Sequence, residues 1–230
     1  MSEINLNTNL SSCIINNARA NGTTVNVSSR DSVNEIVMLE WQAFDKVVNE
    51  GGRASCQDDW DTFSIMRRSQ YETWTDEMLD SYIDDFYTAN ENGWNLITEK
   101  YARMEESTAP ESYEKIKDSL PEVSEKKKAI VDQIVSIQVD WMEQFAMQYP
   151  KAAANARSIH SSEDTIDNTS YETYLRGELM TYSERTLALY GQFVVRTAGN
   201  GENLAYKIME NTAKAYGYEG LGDLESKLGN

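Results

Sequence analysis

Histidine and cysteine are almost missing from this 230-residue chain, which has one His, two Cys and only three prolines. With a single imidazole, His160, and no Glu-x-x-His spacing, the ferritin-like di-iron arrangement is excluded, since it needs that pair on two helices. No EF-hand loop supports an all-oxygen Mg²⁺ or Ca²⁺ site, and no metal site is expected. Cys13 sits in a polar N-terminal stretch and Cys56 at an expected helix start, so no disulfide framework is indicated and a reducing compartment is expected. Nowhere do about 18 apolar residues follow one another, and MSEINLNTNLSSC has neither the basic flank nor the apolar centre of a secretory signal. The expectation is a soluble cytoplasmic protein with no membrane partner. Positive charge is scarce too: 21 Lys and Arg stand against 38 Asp and Glu, a net charge of −17. A polyanion is held by clustered cations, so this balance excludes nucleic acid as a general partner.

What the chain does contain is helical periodicity. A sequence this long can bury about 70% of its unfolded surface and needs no metal or disulfide staple. Residues 1 to 30 are rich in Asn, Ser and Thr, lack a helical period and read as a flexible arm, with at most a short strand at Thr24 to Val27. From Asp31 the period becomes 3.6. Val33, Ile36, Val37, Trp41, Phe44, Val47 and Val48 form the stripe of a first helix ending at Gly51-Gly52. A second helix is expected from Ser55, with Asp58 completing a capping box. A third starts after Thr75, and Gly93 separates it from WNLITEKYARM. Pro110 and Pro121 bracket a short amphipathic piece. The longest helix runs from Val123 to Tyr149, about 40 Å at about 1.5 Å per residue. A polar loop at His160 to Asn168, expected to be disordered, precedes a helix from Thr169 to about Ala198, and a last pair follows Asn200-Gly201. The reading is an all-α single domain over 31 to 230, about eight helices in an irregular orthogonal or bundle-like array.

Function is sought where polar residues occupy apolar stripes, because a buried polar group needs a partner or a task. Glu40 lies between Val37 and Phe44, Arg67 and Gln70 follow Phe63, and Glu178 lies between Leu175 and Tyr182. Lys100, between Ile97 and Met104, is a fifth. One reading makes them an interhelical pocket for a small polar or anionic ligand, with Glu40 or Glu178 as general acid or base and Arg67 and Gln70 as binding groups. The other makes them interhelical ion pairs that fix packing and bind nothing.

The segment Gly51 to Trp60 offers a further candidate: Arg53 and Gln57 as anion-binding residues beside a helix start, and Cys56 as a thiol activated in the first turn or merely a buried structural Cys. His160 reads as a solvated loop residue. The Tyr series 171, 174, 182 and 190 reads as packing, each hydroxyl reaching a partner. The cofactor is left open. Apart from a ligand-binding protein or enzyme, the composition allows a non-catalytic interaction module whose acidic faces meet a basic protein partner, or an N-terminal arm presented as a peptide to a partner or processing enzyme.

The stretches MLEWQAFDKVVNEGGRASCQDDWDTFSIMRRSQYETW, NLITEKYARM, TSYETYLRGELMTYSERTLALY and YGYEGLGDLE together resemble a bacterial domain-of-unknown-function family. The likeness runs from about residue 32 to 228. Such domains occur alone or fused to a nucleotidyltransferase-like domain, and the resemblance implies no particular chemistry. It also implies an Arg where this chain has Trp94 and a Met where it has Glu105, so no role is carried over to either position.

Overall fold

The structure, a computed structural model, describes residues 29–49 and 52–228. The arm before these residues, Cys13, the short strand and the Gly51 helix end lie outside the described residues. Within them are eleven α-helices: α1 Ser29–Asp45, α2 Trp60–Tyr71, α3 Asp76–Glu91, α4 Leu96–Thr108, α5 Pro110–Ile116, α6 Glu125–Gln148, α7 Pro150–Ala154, α8 Tyr171–Thr181, α9 Glu184–Gly199, α10 Leu204–Ala215 and α11 Leu221–Lys227. Single 3-10 turns occupy Ser55–Asp58, Lys117–Ser119 and Ser161–Glu163. Among the described residues β-pairing is confined to an isolated bridge between Thr165 and Asn168.

The all-α class stands, but the helices exceed eight because polar caps and prolines start new ones where the apolar period runs on. Ser183 is the main case. Its hydroxyl accepts the Thr186 N–H, and Tyr182 before it is extended at φ −65°, ψ 145°. The single helix expected from Thr169 is therefore two, α8 and α9. Ser170, not Thr169, caps α8. The break also resets the buried face, so that Leu187, Tyr190 and Val194 are buried while Leu189 and Phe193 pack only partly.

Other boundaries follow their caps. Thr75 accepts from Met78 N, Asn95 from Ile97 N and Thr98 N, and Ser124 from Lys127 N, each meeting an amide that the first helical turn leaves unbonded. Gly93 has φ +66°, and Trp94 N donates to Ala89 O at 2.8 Å, a glycine-terminated helix end. Pro110 and Pro150 stand at the first positions of α5 and α7, where no amide hydrogen is needed. Because α1 stops at Asp45, Val48 leaves the stripe and is 92% exposed. The loop after His160 is tied down: Asp164 accepts the Ser170 N–H and the hydroxyls of Ser107 and Thr173.

One apolar core joins all of α1, α3, α4, α6, α8, α9 and α10. α8 packs closely on α4 and α6, α1 on α3, α2 and α4, and α10 on α2 and α6. The α4–α8 approach depends on Gly177: a Cβ there would meet Met104 Cγ at 2.9 Å and Lys100 O at 3.0 Å. That close contact sets Lys100 against the residue after Gly177, which is Glu178. No helix among the described residues is long and apolar enough to cross a membrane.

Candidate functional site

The five polar residues that interrupt apolar stripes meet at one place. Glu40 comes from α1, Arg67 and Gln70 from α2, Lys100 from α4 and Glu178 from α8. Arg67 faces Glu40 with two bonds, Nε to Oε2 and Nη2 to Oε1, both 2.5 Å. This side-by-side geometry is the strong form of a guanidinium–carboxylate pair. Its Nη1 reaches Gln70 Oε1 at 2.9 Å and Glu178 Oε2 at 3.1 Å, and Nη2 also donates to the Tyr71 oxygen at 2.5 Å. These contacts match the full set of guanidinium donors.

The carboxylates are likewise complete. Glu40 Oε1 accepts the hydroxyls of Tyr71 at 2.7 Å and Tyr82 at 3.3 Å. Glu178 Oε1 accepts Gln70 Nε2 at 3.1 Å and the Tyr182 hydroxyl at 2.9 Å, and Oε2 accepts Lys100 Nζ at 2.7 Å. Glu40 is 1% and Glu178 2% exposed. Two carboxylates thus face two cations out of water, with a hydrogen-bond partner on every carboxylate oxygen. Tyr71 and Tyr182 were not singled out as part of a site. Their signal was present: each lies four residues after a buried charge, Arg67 or Glu178, and so on the same helical face.

Charge and burial oppose one another here. Burial pushes the Glu178 carboxyl up, but Arg67 and then Lys100 outweigh it and hold the group well below the usual carboxylate range. Burial pushes Arg67 down, while Glu178 and Glu40 more than restore it and hold it well above its ordinary value. The phenols of Tyr71, Tyr82 and Tyr182 are raised well above theirs, first by burial, with the neighbouring carboxylates adding to the rise and Arg67 opposing it. At the outer edge, Lys100 Nζ lies 3.5 Å from the centre of the Tyr174 ring, and Arg157 Cζ lies 4.8 Å from the same ring.

Arg53, Cys56 and Gln57 do not join this network. They belong to the turn beyond the C-terminal end of α1, whereas Glu40 lies more than one helical turn inside it. The expected capping box at Ser55 is absent, because Ser55–Asp58 is a 3-10 turn and Asp59 caps α2 by accepting Thr62 N. Cys56 therefore lies outside the first turn of a helix, and it is exposed rather than a buried structural thiol. Arg53 gives its donors to Asp58 Oδ1, Asp45 Oδ1, Asp45 O and Gln57 O. Gln57 is fully buried, which its sequence position did not suggest. Its Nε2 donates to Phe44 O at 2.9 Å and Val47 O at 3.0 Å, and its Oε1 accepts Ala54 N and Asn49 Nδ2. The amide is consumed in closing the carbonyl end of α1.

Tyr171 and Tyr190 both donate to Gln138 Oε1, at 3.2 and 3.1 Å. His160 lies outside the helices with its side chain 44% exposed, as the solvated-loop reading expects, and its Nε2 is 3.1 Å from Glu143 Oε1. Two surface cavities, of about 250 and 370 Å³, lie away from the network; Met142 and His160 help line the first, Tyr149 and Tyr206 the second. Among the described residues no three His, Cys, Asp or Glu side chains gather as metal ligands would.

The chain belongs to the family described as "Protein of unknown function (DUF4125)", whose model matches residues 30–226. No curated protein and no solved structure matches it.

Proposed function

We propose that this chain is a cytoplasmic, non-catalytic interaction module, in which acidic outer faces recognise a basic protein partner and the buried ion network fixes the packing of α1, α2, α4 and α8. The observation that carries the reading is the closure of the network. Every oxygen of Glu40 and Glu178 and every donor of Arg67 is engaged within the protein. A substrate phosphate or carboxylate would have to displace a buried carboxylate from Arg67. A general acid works best with its pKa near the operating pH, and Glu178 is held far below it.

Thermal melts test this reading with the wild type, Glu178→Ala and Lys100→Met, each alone and with a panel of phosphorylated and carboxylated metabolites. Glu178→Ala is expected to melt much lower, and no metabolite is expected to raise the wild-type midpoint. A compound that raises it in proportion to concentration, and does so less for Lys100→Met, would overturn the module in favour of a ligand site.

One observation supports that second reading, a small anionic ligand. Lys100 meets a single carboxylate oxygen and shares the Tyr174 ring with Arg157, so two cations lie against one aromatic ring at the edge of the network. On this reading the ligand contacts Lys100 and Arg157 rather than Arg67.

A further inference from the structure

Two N–H groups in the core find no acceptor among the described residues, the indole Nε1 of Trp74 and the amide Nε2 of Gln138. Trp74 lies in the turn after α2 and Gln138 in the middle of α6. The residues are 7% and 2% exposed, and both nitrogens are closed off from solvent. Buried donors are almost always bonded, because the water given up on folding has to be replaced by another acceptor.

Turning the Gln138 amide round does not remove the difficulty. As it stands, its Oε1 accepts the hydroxyls of Tyr171 at 3.2 Å and Tyr190 at 3.1 Å. Turned, Nε2 would serve both phenol oxygens, but both phenol hydrogens would lose this acceptor and Oε1 would become the unbonded atom. The free Nε2 is thus held beside the Tyr190 hydroxyl. Trp74 adjoins the same tyrosine, with ring centres 5.3 Å apart. Burial raises the Tyr190 phenol above its ordinary value, so the proton stays on the oxygen and goes to Gln138, and lone pairs of that oxygen are left to accept. Two neutral donors and one neutral acceptor therefore border one residue in the core.

We propose that a single water molecule is bound inside the core beside Tyr190, its oxygen accepting Trp74 Nε1–H and Gln138 Nε2–H and one of its hydrogens given to the Tyr190 oxygen. About three bonds to otherwise unsatisfied groups is the usual complement of a buried water. An uncharged acceptor with a hydrogen of its own suits these partners, whereas two neutral donors do not offset the hydration that an anion gives up. The site ties the turn after α2 to α6 and α9, which meet it otherwise through ring contacts at Trp74. It owes nothing to the interaction-module reading and would stand if that reading fell.

A crystal structure of the full chain that shows ordered waters tests the site directly. One compact density peak is expected at about 3 Å from Trp74 Nε1, Gln138 Nε2 and the Tyr190 oxygen together. In solution, the Trp74 indole proton of the isotope-labelled chain is expected to show a dipolar NMR cross-peak to water, whose sign in the rotating frame separates contact with a held water from exchange of the proton itself. Gln138→Met, which keeps the length and removes both amide atoms, is expected to lose that peak. If Gln138→Met does not fold, the wild-type density and spectra decide by themselves. No density at the site, separate peaks at the two donors, an elongated peak that marks an organic ligand, no contact between Trp74 and water, or an unchanged contact in Gln138→Met would each overturn the proposal.

Discussion

Arg53 and Arg67 each gather two carboxylates, and they teach opposite things. Arg53 lies 2.6 Å from Asp45 and 2.9 Å from Asp58 with its side chain 44% exposed. Arg67 lies 2.5 Å from Glu40 and 3.1 Å from Glu178 with 7% exposure. Partner number and distance are nearly the same. Around Arg53, water and salt screen the charges, and long side chains lose freedom to meet. Around Arg67 nothing screens them, so the groups depend on one another: each was costly to bury and each is tolerated only while its partner remains. An inventory of ion pairs would rank the two sites alike; burial separates them.

Removing one partner from the interior should show the largest effect. Glu178→Ala leaves Lys100 and Arg67 short of a carboxylate and is expected to cost about 3–5 kcal/mol in urea unfolding. A loss below about 1 kcal/mol would erase the distinction between the two arginines. Acid should then remove the same contribution without mutation. The folded-state pKa of Glu178 is lowered, so the unfolded chain binds the proton more readily and the stabilisation is full above the unfolded value, about 4.3. It is lost as the pH falls below that value. The gap in melting temperature between wild type and Glu178→Gln should therefore narrow from about pH 5 downward.

Two intermediate effects sharpen the comparison by asking what supports each site. Gly177→Ala would press a methyl on Met104 and the Lys100 carbonyl, and it is expected to cost about 1–3 kcal/mol by overpacking the approach that joins Lys100 to Glu178. In the turn, the support is Gln57 rather than Arg53. Gln57→Leu strands the Ala54 amide and the Val47 carbonyl and leaves Phe44 O with the Val47 N–H alone, with an expected loss of about 1–3 kcal/mol in the same unfolding assay. The smallest effect belongs to Arg53→Gln, whose melting temperature should stay close to wild type and whose difference should vanish in high salt. A change as large as that of Glu178→Ala would break the comparison from the other side.

Much of the interior was legible before any fold was known. Glu40, Arg67, Gln70, Lys100 and Glu178 stood out because a helical period of 3.6 assigns them to apolar faces, and a charge on such a face needs company. The start after Thr75 was similarly local, a side chain meeting an amide three residues on. Gln57 was misread because it lies in no apolar stripe, and nothing nearby in sequence announces that its amide plugs a helix end. Ser183 hid a helix break because the apolar period continues through it. His160 is solvated as read, but its exposed partner Glu143 was not legible because it belongs to a distant helix.

The sequence by itself determined which residues would turn inward, and that helices would do the turning, because periodicity and capping act within a few residues of chain. Only the tertiary structure decided which inward residues meet. Arg67 joins Glu40, and Lys100 joins Glu178, across separations in which no local geometry fixes a distance. There the arrangement rests on close helix approach at Gly177 and on the need of each buried charge for a partner.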